Sequence, residues 1–563
     1  MKVSALARCR HSVCTAVLAA WLLAMGANAS ADTLVENVNG YSPDGKGGFT
    51  RFNALMIDDH GRVKQLLKSK DKREYAHFRS DGGGRTLLPG FIDSHAHVMA
   101  LGWQGLRLDL SQAHALAEMQ AQLRAYAAGH VRPRWIIGTG LNLTMQSAGK
   151  WPGAAEIDMI VADRPVWIVS ADGETGIANS LALREAGITK TSKAPQGGGI
   201  ERLADGRPSG VLTGTAMAML TSRLPADNPV ESEEALTRAL QKLASLGVTT
   251  VSDAGTGIAD WLLFRRFGDE GRLPLRIYAM ADGIGTLEQV VPLRPTPWLY
   301  DDHLIMRAVV IRTDGTVSAH AAWLKTPYAD APASSGIRQI DDVRLRNWIS
   351  RALMAGIQPV LNANGDAAIS QALGAYEEML NTYGKKRRLR IDGALIVDPQ
   401  DFARIKDMDV QVTLQPGMIS SDASALSIRL GPQRMAAALP WRQLVDQGTR
   451  PALGSGTPKL PASPFGAIAA AATTPTVPGN PAPAPLTVAE AMRAYTLDAA
   501  KAAFAEDRIG SLEPGKWADF ILVDRDVMTA DPAAVAQAQV METWVAGKRV
   551  YVRGQAQGAQ TGR

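Results

Sequence analysis

Short apolar runs of strand character recur along most of the chain and alternate with segments whose apolar positions repeat at helical spacing. Pro165–Val169, Val248–Val251, Arg307–Ile311 and Val410–Leu414 have strand length and are rich in β-branched residues. Segments such as Ser232 to Leu246 and Ala367 to Leu380 lie between them and read as helices. Alternation of this kind over residues 90–507 predicts an α/β domain with a parallel sheet, most simply a closed eight-stranded (β/α)8 TIM-like barrel. No short-period repeat competes with that reading.

The two ends have a different texture. Residues 32–89 read as short strands joined by Gly-, Asp- and Asn-rich turns, such as Tyr41-Ser42-Pro43-Asp44-Gly45. The run Phe52–Ile57 followed by Asp58-Asp59-His60-Gly61-Arg62 predicts a strand and hairpin, with His60 a solvated turn residue. Residues 508–563 return to this character: GSLEPGKWADFILVDRD at 510–526 is turn and strand, and Val540–Val552 forms a hairpin around Ala546-Gly547-Lys548. Before it, the Pro-rich stretch 473–485 predicts an exposed loop, and Thr487 with Glu490 predicts a capping box opening a helix.

Composition narrows the classes. With 563 residues, 46% hydrophobic and 20% charged, the chain is globular and large enough for more than one domain. Lys2, Arg8 and Arg10 precede an apolar run from Val13 to Ala27, and Ala29-Ser30-Ala31 offers a cleavage site. Residues 1–31 therefore read as a secretory signal, its apolar run short for a spanning helix. The expected product is exported, periplasmic or secreted, with no membrane attachment because no lipid-accepting cysteine follows the run. Removing that leader takes three of 60 basic groups and no acid, leaving 57 against 55. The remaining charge is near balance, and no basic stripe with interleaved aromatics suggests nucleic acid. Both cysteines, Cys9 and Cys14, lie in the leader, so disulfides, thiol chemistry and cysteine ligands are excluded from the exported part.

The chemistry concentrates at LLPGFIDSHAHV, residues 87–98. Two residues apart on a strand, His95 and His97 would present both imidazoles on one side, half of a divalent-metal site. Taken alone, such a pair is as readily two buried, hydrogen-bonded histidines. His114 and His130 read as structural or solvated.

The Pro-Gly-Phe-Ile-Asp-Ser lead-in resembles the first barrel strand of the metal-dependent amidohydrolases, and the resemblance extends. Trp135-Ile136-Ile137-Gly138, Asp172-Gly173 with Asn179-Ser180, Gly247-Val248-Thr249, Asp253-Ala254-Gly255, Asp314-Gly315, Gly365-Asp366, Arg429-Leu430-Gly431-Pro432, Gly454-Ser455 and the 510–526 signature follow in order. The chain resembles amidohydrolase family 3, the branch that includes N-substituted formamide deformylases. The resemblance implies a distorted (β/α)8 barrel over 90–507 and a small composite β-sandwich from 32–89 and 508–563. It also implies hydrolysis of non-peptide C–N bonds in a small molecule by metal-activated water.

The same resemblance implies further ligands, and most are replaced. The lysine position is Val310, the next histidine Asn362, the following one Gly393, the histidine after Asp172-Gly173 is Glu174, and the proton-accepting aspartate is Gly456. Val310 and Gly393 cannot coordinate a cation, and Asn362 offers only a neutral carbonyl. The expectation is a single divalent metal, zinc by preference, held weakly at His95 and His97 or not held. Glu174, Asp253, Asp314, His320, Asn362 and Asp392 are the pocket groups or substitute ligands that could rebuild a site. Each also has an ordinary role: Asp253 and Asp314 could cap loops, Asp366 the following helix, and His320 could be a surface group. Two functions stay open, an amide-like hydrolase and a pseudoenzyme that binds a small ligand or protein partner without turning it over.

Overall fold

The computed structural model describes residues 32–131, 134–141, 151–171, 173–195, 198–225, 228–291, 293–385, 387–474 and 484–555, apart from the side chains of 419–425 and 436. The leader, Asp172 and most of the Pro-rich stretch lie outside the described residues. Among the described residues no helix is long and apolar enough to cross a membrane.

A parallel eight-stranded sheet forms the centre: β1 (Phe91–Ala96), β2 (Val248–Thr256), β3 (Arg276–Asp282), β4 (Leu304–Arg312), β5 (Gln358–Ala363), β6 (Arg390–Gly393), β7 (Gln411–Leu414) and β8 (Ala452–Leu453). Each strand pairs with the next in this order. Just beyond β8, Gly456 N donates to His95 O at 2.8 Å and His97 N to Thr457 O at 2.9 Å. These bonds bring the last strand against the first, and the sheet is a nearly closed TIM-like barrel. Helices follow the strands where the periodicity placed them, at Pro229–Ser245 after the insert and at Asp366–Tyr383 after β5.

The barrel lumen is packed. Ile92, Tyr278, Met280, Ala308, Val310 and Val360 share one apolar cluster with Ala499, Ala500 and Ala502. The helix Leu497–Ala502, small-sided enough to approach closely, therefore stops the lower end of the barrel. The predicted capping box forms at the start of the preceding helix: Thr487 N donates to Glu490 Oε2 at 2.7 Å, and Glu490 N to Thr487 Oγ1 at 3.2 Å.

Not every strand read between residues 90 and 507 belongs to the barrel. The run predicted at Pro165–Val169 is a strand, Val166–Ser170, but it lies in a separate six-stranded mixed sheet built from residues 108–214 and inserted between β1 and β2. Strand patterning reports burial on a sheet and does not say which sheet. The chain ends do meet. Leu87 and Leu88, just before β1, pair antiparallel with Leu522 and Ile521 in a six-stranded sheet that carries strands from both termini. Val35, Leu55 and Ile57 of a second, four-stranded sheet share an apolar cluster with Phe520, Leu522 and Trp544 of the first. Arg276, at the start of β3, grips Asp519 with two bonds of 2.7 and 2.9 Å, tying the barrel floor to that terminal sheet.

Candidate active site at the barrel mouth

Strand periodicity puts Arg390 and Asp392 on one face of β6, and both are fully buried. The guanidinium forks onto the carboxylate, Nε to Oδ1 at 2.6 Å and Nη2 to Oδ2 at 2.9 Å, and Nη2 also reaches Ser94 O on β1 at 2.5 Å. Across the mouth, His95 Nδ1 lies 2.7 Å from the same Asp392 Oδ2. Burial alone would raise the Asp392 carboxyl, but the charge of Arg390 and the bond to His95 outweigh it and hold the group below its usual value. Asp392 is therefore an anion and an acceptor, so the Nδ1 of His95 donates to it and Nε2 is the ring nitrogen turned away from that bond.

His97 stands edge-on to His95, ring centres 5.4 Å apart. Burial first, then the neighbouring His95, Lys459 and Arg312, push its pKa down to about 3, so it is neutral at physiological pH. Asp253 on β2 completes this side. Its Oδ1 accepts Val98 N at 2.8 Å, at the start of the helix that follows His97, and its Oδ2 accepts Thr256 Oγ1 at 2.6 Å. Burial pushes it up to about 6.

The remaining residues singled out in the sequence disperse. Asp314 accepts the backbone N–H groups of Trp323, Asn364 and Gly365 at 2.8–3.0 Å and organises the loop after β4, burial raising its pKa to about 7. Asn362 lies beside Asp392 in the β5–β6 register and contacts Asn364 Nδ2 at 3.4 Å. His320 leaves the cluster altogether: its Nε2 faces the Asp330 carboxylate at 3.0 and 3.1 Å and Arg429 Nη1 at 2.9 Å. Glu174 sits in the inserted sheet, where its carbonyl accepts Gly214 N. Asp366 accepts Lys325 N at 2.9 Å at the start of its helix. Val310 is packed in the lumen. His130 stacks on Tyr126, ring centres 4.0 Å apart, and His60 is exposed on its turn.

The two glycines where the resemblance implied a histidine and an aspartate have backbones that favour glycine. Gly393 has φ +102° and Gly456 φ +72°, values that side-chain-bearing residues rarely adopt. A Cβ at Gly393 would also stand 2.5 Å from Asn364 Oδ1. The local backbone therefore opposes a side chain at both positions, and placing a ligand residue there would strain it. The residue the sequence reading passed over is Arg390. Its signal was the Arg-x-Asp spacing on a strand, which places cation and anion on one face.

A parallel barrel with a histidine pair and a buried carboxylate at the C-terminal strand ends is the arrangement that the resemblance to the amidohydrolases led one to expect. The amidohydrolase family model matches residues 80–551, and the chain belongs to the amidohydrolase family. It is similar to protein LONG AFTER FAR-RED 3 of Arabidopsis thaliana, 29% identical over 554 residues and 92% of both chains. N-substituted formamide deformylase of Arthrobacter pascens is 26% identical over 84% of this chain and 90% of its own. Among solved structures, one described as an uncharacterized metal-dependent hydrolase from Pyrococcus horikoshii superposes with a TM-score of 0.73 at 23% identity. It covers 89% of this chain and 99% of that one, and it shares the fold.

Family membership supports a divalent metal in general terms, and the donor set can be tested against one. A catalytic zinc takes three protein ligands plus water. Among the described residues no group of three or more His, Cys, Asp or Glu side chains is placed to hold a metal ion. Asp392 is spent on Arg390 and His95, and Asp253 on the backbone and Thr256. Arg390 Nη1, buried without a protein partner, is a donor and a fixed positive charge, which suits an oxygen and opposes a cation. The side chains present do not fit the family's metal site.

Proposed function

We propose that this chain hydrolyses a C–N bond, other than a peptide bond, in a small amide-like molecule held at the barrel mouth. Family membership supports hydrolysis. The observation that carries the site is the ordered series His95–Asp392–Arg390 at the C-terminal strand ends, where barrels of this kind perform chemistry. In this reading His95 Nε2 takes a proton from water as the water oxygen bonds to the amide carbonyl carbon, Asp392 stabilises the imidazolium that forms, and the imidazolium gives that proton to the amine nitrogen as the C–N bond breaks. Arg390 keeps Asp392 ionised and in place. His97 lends a second neutral nitrogen that can orient the substrate. The leader supports export, and the two terminal sheets read as the small composite β-sandwich of the family.

A second reading, ligand binding without turnover, is favoured by Gly456, which leaves no carboxylate where the family keeps its proton acceptor. A panel of N-formyl and N-acetyl amines, assayed with and without chelator, separates the two. Turnover that survives chelator and disappears in His95→Ala supports the proposal. Retained binding of the same amides with no turnover transfers the site to the second reading, and turnover intact in His95→Ala removes His95 from the chemistry.

A further inference from the structure

The floor of the barrel carries a second site. A cavity of about 460 Å³ opens beside Gln411, the first residue of β7, and a neighbouring one of about 320 Å³ shares Gly448, Thr449, Arg450, Arg493 and Asp498 with it. Both lie at the N-terminal strand ends, away from the histidine pair. Three parts of the fold meet there: the Asp44–Gly48 turn of the terminal sheet, the segment leading into β8 and the helix that plugs the lumen.

Charge decides what such a space accepts. Four cations line it: Lys406, Arg450, Arg493 and Lys501. Four acids also line the two cavities, but Glu506 is engaged by Arg388 and Glu490 by Arg442, both outside them. Of the lining acids only Asp409 and Asp498 remain to balance the cations, an excess of two positive charges among the lining side chains that the solvent-exposed Asp44 beyond Arg493 offsets in part. Arg493 is 8% exposed and fixed, with Nε on Asp498 Oδ1 at 3.1 Å and Nη1 on Asp44 O at 2.7 Å. Lys501 Nζ holds Asp409 only at 3.5 Å. The Lys406 and Arg450 side chains make no ion pair or hydrogen bond with the described residues, yet both lie against the space. The Lys406 Cε lies 3.8 Å from where a Gly448 Cβ would stand, and the Arg450 Nη2 lies 3.4 Å from where one on Gly47 would. Leu486, Pro451 and Leu497 supply apolar wall.

We propose that this cavity binds a small phosphate-type dianion, inorganic phosphate or a compact phosphate monoester, gripped by Arg450, Lys406 and Arg493. An oxyanion of two charges matches the excess, and guanidinium forks suit its oxygens. Because the cations come from separate parts of the fold, occupancy fastens the terminal sheet to the barrel floor and raises stability by linkage.

The test is thermal unfolding of the full chain titrated with inorganic phosphate, with phenyl phosphate, and with sodium chloride at matched ionic strength. A saturable rise in Tm with phosphate but not chloride is expected. The Lys406→Ala/Arg450→Ala double variant, changed only at exposed side chains, should need roughly tenfold or more phosphate for the same rise. A response to phenyl phosphate alone identifies the ester as the source and supports the site; a response to inorganic phosphate alone shows that the head group suffices. No response to either probe, an equal response to chloride, or an unchanged titration in the double variant overturns the proposal.

Discussion

The mouth of the barrel and the cavity on its floor use arginine in opposite ways. At the mouth, Arg390 is wholly buried and consumed by one carboxylate, which in turn orients His95. At the floor, Arg450 is exposed and unpaired, and Arg493 is buried but shares its acid with surplus cations. Burial is the reason for the contrast. A charge removed from water must be matched at once, whereas one at a solvated rim can wait for a ligand. An arginine whose charge is matched positions its neighbours; an unmatched one recognises something else.

The comparison can be broken most sharply at the mouth. Arg390→Met leaves Asp392 buried with His95 as its remaining side-chain partner, and a loss of about 3–5 kcal/mol in urea unfolding is expected. A loss under about 1 kcal/mol would mean that the pair is not a structural unit. Gly393→His, the nominal return to the family ligand, should destabilise by about 2–4 kcal/mol without restoring tight metal binding. Its φ and the nearby Asn364 Oδ1 oppose any side chain. Zinc bound stoichiometrically by a stable Gly393→His protein would contradict this.

At the floor, Asp498 gives a pH test. Burial, offset in part by Arg493 and Arg450, pushes its pKa up to about 6. A carboxyl raised in the folded state holds its proton where the unfolded chain has lost it. Its contribution is therefore present below pH 4 and is lost as pH rises towards 6. Asp498→Asn should accordingly gain on the wild type, by roughly 2 kcal/mol, between pH 4 and pH 6.5, with no further change above. A pH-independent difference would show that Asp498 is ionised throughout. The smallest effect is expected from Arg450→Ala without ligand, within about 0.5 kcal/mol of wild type, because an unpaired surface cation supports nothing in the folded state. A larger loss would place Arg450 with the matched arginines.

Much of the site was legible before the fold. The Pro-Gly turn and the alternation around His95 and His97 located the first strand and put both imidazoles at its end. The stretch Leu389–Asp392 located β6, and Gly454-Ser455 the last strand. For the acidic candidates the sequence offered two roles, ligand or loop cap, and did not choose between them. Asp314 and Asp253 took the capping role as backbone acceptors and His320 paired with Asp330, because loop amides and ion partners are set by how the loops after each strand fold back. The strand at Val166–Ser170 was found but credited to the barrel, since a buried strand reads alike in either sheet.

The sequence by itself determined the alternating barrel, the strand-rich ends and the histidine pair. These are properties of spacing and residue type, and local physics is enough to express them. Only the tertiary structure decided that Asp392 pairs with His95, 297 positions away in the chain, and that Arg390 neutralises it. It alone set the surplus of positive charge on the barrel floor. Charge balance is a sum over groups that meet in space, and each partner's identity depends on chain closure and burial that no short stretch encodes.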